Sequence, residues 1–86
     1  MNIVVYAGSH CLFSRKLIHD LQDRNIPVDI KLVDKDEKAC EEMYRLTKKA
    51  WTPTVKITLP DQSEKIIVGY NSEKKKQYED ILGTML

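Results

Sequence analysis

Tyr6-Ala7-Gly8-Ser9-His10-Cys11-Leu12-Phe13-Ser14-Arg15 is the stretch on which the fold turns. Ahead of it, Ile3-Val4-Val5-Tyr6 is a compact apolar run that reads as a buried strand. Behind it, Phe13, Leu17, Ile18 and Leu21 recur at helical spacing and predict an amphipathic helix from about Leu12 to Arg24, with Pro27 beyond its end. Cys11 therefore falls where a strand gives way to a helix. Unpaired amides and the positive end of the helix dipole both favour a thiolate there, which makes Cys11 a candidate nucleophile near neutral pH. Ser14 lies one turn on, either as a first-turn serine with no chemical duty or as a hydroxyl that supports the thiolate.

Outward from this junction the chain keeps alternating strand and helix patterns. Val28, Ile30 and Leu32 alternate with Asp29 and Lys31, the period of a half-buried strand. Asp34 or Asp36 can cap a second helix, which carries Glu37, Glu41 and Glu42 near its start and Arg45, Lys48 and Lys49 near its end, in the sense that suits the dipole. Trp51-Thr52-Pro53-Thr54 breaks that helix. Val55, Ile57 and Leu59 then predict a third strand, Pro60-Asp61-Gln62-Ser63 a turn, and Ile66-Ile67-Val68 a fourth strand closing a hairpin. Gly69 ends it, and Asn71 or Ser72 caps a last helix with Tyr78, Ile81, Leu82 and Met85 inward. The order β-α-β-α-β-β-α predicts an α/β fold with a mixed four-stranded sheet and helices on both faces.

The totals narrow the function classes. At 86 residues the chain supports one small domain, residues 1–86. Hydrophobic residues make up 42% and charged ones 31%, the composition of a folded soluble protein. A formal charge of +1 points to neither a nucleic-acid nor an anionic-membrane partner. No apolar run approaches the ~20 residues that span a bilayer. Met1-Asn2 leads straight into the first strand, so no secretory leader is expected. With Cys11 and Cys40 alone there is no disulfide framework, and a cytoplasmic monomer is the expectation. Cys40, His10, Tyr6 and the run Lys74-Lys75-Lys76 read as ordinary helix, loop, packing and solvated positions.

Four features now coincide: Cys11-x-x-Ser14 between the first strand and helix, Thr52-Pro53 before the third strand, Gly69-Tyr70-Asn71-Ser72 after the fourth, and the element order. Together they resemble the glutaredoxins, a thioredoxin-fold family, over essentially the whole chain. The resemblance implies glutathione-dependent thiol–disulfide exchange, with glutathione as co-substrate, no metal, and glutathionylated or disulfide-containing proteins as partners. Cys11 matches the family's nucleophile. Ser14 stands where dithiol members carry a resolving cysteine, which leaves the monothiol route. Pro53 matches the cis-proline, with the Thr52 backbone free to pair with the cysteine of glutathione. Gly69, Tyr70, Asn71 and Ser72 match the stretch that binds the γ-glutamyl carboxylate. The chain departs from the pattern in polar Thr52, in Leu12 after the nucleophile, and in Gly8 where a lysine often binds a glutathione carboxylate. Lys48 and Lys49, just before Trp51, are the expected substitutes, Lys49 matching a position that relatives often fill with a glutamine. Two rivals resemble it less: the monothiol glutaredoxins that hold a [2Fe–2S] cluster between two chains, which have glycine at the position of Leu12, and a redoxin in which Ser14 replaces a resolving cysteine.

Overall fold

The computed structural model describes residues 1–86. It runs β1 (Asn2–Ala7), α1 (Leu12–Asp23), β2 (Asp29–Leu32), α2 (Glu37–Thr47), β3 (Thr54–Thr58), β4 (Glu64–Val68) and α3 (Ser72–Leu82), the order expected. The strands form one mixed sheet ordered β2-β1-β3-β4. β1 and β2 are parallel, and α1 supplies the crossover that a parallel pair requires. β3 runs antiparallel to β1, and β4 to β3. The β3–β4 turn closes with the Leu59 amide on the Ser63 carbonyl at 2.8 Å.

Alternation along β1 decides the layers. Ile3, Val5 and Ala7 face one way and join Val55, Ile57 and Ile67 in a core beneath Leu17 and Leu21 of α1 and Tyr78 of α3. Tyr6 faces the other way, under Ala39 and Met43 of α2. Two helices therefore cover one face and one covers the other. Asp36 caps α2 by accepting the amides of Lys38 and Ala39, and Asn71 caps α3 by accepting that of Lys74. No helix is long and apolar enough to cross a membrane.

Three expected faces are corrected. Helical spacing puts Phe13 on the inward side of α1, yet it is 57% exposed while Ser14 is fully buried. Ser14 lies two turns before Leu21 and so shares its inward line more closely than Phe13 does. The apolar row of β2 is covered unevenly: Val28, just before it, packs against the core, while Ile30 and Leu32 are 37% and 36% exposed, because β2 is an edge strand with a neighbour on one side only. Lys31 is the β2 residue that packs, its ammonium 5.9 Å from the centre of the Tyr6 ring and 2.9 Å from Glu42. Met85 is 80% exposed and Leu86 is buried in its place. The helical period stops at Gly83, whose φ of +73° ends α3, and Arg24 Nε then donates to the Met85 carbonyl at 2.7 Å.

Candidate active site

Cys11 is the N-cap of α1, with φ −81° and ψ 116°. A preferred N-cap residue places a side-chain acceptor on the second and third amides of its helix. Cys11 brings sulfur to that position. As a thiol it makes no cap bond; Sγ donates instead to the Thr52 carbonyl at 3.5 Å. As a thiolate it faces the amides of Phe13 and Ser14 and the hydroxyls of Ser14 and Thr52. Burial pushes the thiol up, but the Ser14 hydroxyl, then the Thr52 hydroxyl, then the two amides outweigh it, and the net shift is downward. The first turn of α1 holds no acidic residue, so nothing neutralises its positive end.

The surroundings of the sulfur are held by the loop between β1 and α1. The buried Ser14 Oγ accepts the Gly8 amide at 3.3 Å, which leaves its own proton free for the sulfur. The Cys11 amide donates to the Gly8 carbonyl at 3.1 Å. Asp34, just after β2, accepts both the amide and the hydroxyl of Ser9, at 3.1 and 3.0 Å. Gly8 sits at a close approach: a Cβ there would lie 3.2 Å from Cys11 Cβ and 3.2 Å from Thr52 Oγ1, so one of these would have to shift by a few tenths of an ångström. A lysine in place of Gly8 would have to enter that gap.

The Thr52–Pro53 bond is cis and Pro53 is buried. The Pro53 carbonyl accepts the Gly69 amide at 2.7 Å, and Thr54 Oγ1 donates to the Trp51 carbonyl at 2.7 Å. These bonds tie the entry of β3 to the exit of β4. Gly69, at φ +91°, adopts backbone that other residues rarely take, and its carbonyl accepts the Tyr78 hydroxyl at 2.9 Å. Gly69 thus shapes the turn into α3. Tyr70 is buried with its hydroxyl on Asp20 of α1, and Asn71 and Ser72 open α3.

A cavity of about 260 Å³ lies between α1 and the start of α3, lined by Phe13, Lys16, Tyr70, Asn71, Ser72 and Lys75. Tyr70, Asn71 and Ser72 were expected at a binding site; Phe13, Lys16 and Lys75 were not. Lys75 belongs to a run expected to be solvated, yet it lines the cavity one helical turn after Ser72. That spacing from the α3 cap was the available signal. Lys49 is not in this cavity. It is exposed beside the loop that holds Thr52, its ammonium 5.1 Å from the centre of the Trp51 ring. Cys40 is a free, half-buried thiol on α2, across the sheet from α1.

No family model and no curated protein matches the sequence. Solved structures do match the fold. A glutaredoxin from Methanosarcina mazei Go1 superposes with a TM-score of 0.71 at 28% identity, over 95% of this chain and 78% of that one. A glutaredoxin from Archaeoglobus fulgidus superposes with a TM-score of 0.70 at 21% identity, over 88% of this chain and 83% of that one. By its architecture, then, the chain has a thioredoxin-like fold similar to that of these two glutaredoxins.

Proposed function

We propose that this chain is a glutathione-dependent thiol–disulfide oxidoreductase that reduces glutathione mixed disulfides through Cys11 alone. The Cys11 thiolate gives its electron pair to the glutathione sulfur of a mixed disulfide; the S–S bond breaks, and the protein sulfur leaves as a thiolate and takes a proton from water. Cys11 now carries glutathione. With a buried hydroxyl at Ser14 there is no thiol one turn away to expel it. A second glutathione, as its thiolate, attacks the glutathione sulfur on Cys11. Oxidised glutathione forms and the Cys11 thiolate returns.

The observation that carries this reading is the cavity one turn along α1 from the nucleophile. Its walls offer two ammonium groups, Lys16 and Lys75, and the opening amides of α3, a combination suited to the γ-glutamyl carboxylate. The Thr52 backbone lies against Cys11 from the other loop and suits the cysteine of glutathione, and Lys49, over Trp51 ahead of that loop, is the cation proposed for the glycine end. Glutathionylated proteins in the cytoplasm are the matching substrates, since that compartment keeps thiols reduced.

Incubation with oxidised glutathione followed by mass measurement tests the proposal. One glutathionyl adduct is expected, on Cys11, absent from Cys11→Ser and retained in Cys40→Ser, with reduction of a small mixed disulfide following the same pattern. No adduct, or loss of activity in Cys40→Ser alone, overturns it.

A further inference from the structure

The approach of Gly8, Cys11 and Thr52 carries more than a backbone role for Thr52. We infer that the Thr52 hydroxyl is a catalytic donor to the Cys11 sulfur, admitted to it by the missing side chain of Gly8. Three observations converge. The place where a Gly8 Cβ would sit lies 3.2 Å from both Thr52 Oγ1 and Cys11 Cβ, so the hydroxyl and the nucleophilic residue border the same gap. The Cys11 sulfur already contacts Thr52 through the carbonyl at 3.5 Å. Thr52 is half-buried, beside the fully buried Pro53, which restricts how its side chain can turn away.

The two polar groups of Thr52 serve opposite protonation states. Its carbonyl can only accept and so suits the thiol; once the proton leaves, that oxygen faces negative sulfur and repels it. The hydroxyl can donate and takes over at that moment. It ranks after the Ser14 hydroxyl among the groups that favour the thiolate. The charges around the site are engaged elsewhere or lie apart: Asp34 on Ser9, Lys16 on the cavity wall, Lys49 over Trp51, with His10 exposed in the loop. Hydroxyl and amide dipoles therefore set the charge on Cys11, and Thr52 is the member that β3's entry loop contributes. The same donor steadies Cys11 as the leaving thiolate when glutathione is expelled.

This inference concerns the sulfur and holds whichever small thiol serves as co-substrate. The test is the pH profile of Cys11 alkylation by iodoacetamide in the full chain, with the adduct located by peptide mass to separate it from Cys40. Thr52→Val keeps the shape and removes the donor; Thr52→Ser restores the donor. In Thr52→Val the midpoint should move to higher pH. Below both midpoints its rate should fall about threefold for each unit of that movement, since the lost thiolate is partly offset by greater intrinsic nucleophilicity, and the high-pH plateau should rise. The two profiles then cross, which a general loosening of the loop does not produce. Thr52→Ser should follow the unaltered chain. If Thr52→Val fails to fold, Thr52→Ala removes the same donor, with the same upward movement expected. A profile in Thr52→Val (or, in its absence, Thr52→Ala) that matches the unaltered chain overturns the inference, as does an equal shift in Thr52→Val and Thr52→Ser.

Discussion

As a thiol, Cys11 makes no cap bond, while its thiolate has the Ser14 and Thr52 hydroxyls and two amides for donors. Deprotonation thus completes the capping of α1. The folded chain holds this acid below its ordinary pKa, so its contribution to stability is fully present above the unfolded thiol's value and is lost as pH falls through the folded one. Ser14 serves two partners, accepting from Gly8 and donating to the sulfur. Ser14→Ala should therefore cost about 1–3 kcal/mol, by leaving the Gly8 amide without an acceptor. It should also move the alkylation midpoint of Cys11 to higher pH. Denaturant unfolding and the alkylation profile check the two effects separately.

At the scale of the element, two helices have side-chain caps, and only one of those caps borders the cavity. Asp36 heads α2, and Asn71 heads α3 with its oxygen 2.9 Å from the Lys74 amide. Either cap replaced by alanine should cost about 0.5–2 kcal/mol. Their effects on function should differ. Asn71→Ala frays the amides proposed to hold a carboxylate and should raise KM for glutathione severalfold with kcat little changed. Asp36→Ala should leave both constants alone. Equal effects in the two variants would remove α3 from the binding site. The turn before α3 is fixed from two sides, by Gly69 on Pro53 and by Tyr70 on Asp20 of α1. This joins the nucleophile's helix to the cavity's other wall.

Across the whole molecule the two faces of the sheet are unequal. The core under α1 and α3 gathers 11 buried residues, and that under α2 gathers 3. Leu17, fully buried between α1 and the sheet, should lose about 2–5 kcal/mol on substitution by alanine. That is a large part of the stability of a chain this small. Native-state hydrogen exchange should find the central strands β1 and β3 slowest, with α2 opening at lower free energy than α1. An α2 as protected as β1 would mean that its few contacts are worth more than their number suggests.

Local pattern was enough for the order of elements. Strand and helix periods differ, and Gly, Pro and Asn punctuate them, so the seven elements and the strand-to-helix position of Cys11 are written in short windows of sequence. The same windows suggested Thr52, Pro53 and Asn71-Ser72, through the resemblance they carry. What they could not decide were the faces at element ends. Phe13 against Ser14 and Met85 against Leu86 each differ by one residue, and only the packing of α1 and α3 on the sheet selects between them. The exposure of Ile30 and Leu32 depended on strand order, which places β2 at an edge. Lys16 and Lys75 come from different helices, and Gly8, Cys11 and Thr52 from loops far apart in the chain. A cavity and a three-way approach are distances between segments, and no periodicity within one segment encodes them. The sequence by itself determined which elements form and where the thiol stands among them; the tertiary structure decided which hydroxyls and ammonium groups that thiol meets, because those meetings depend on contacts between elements.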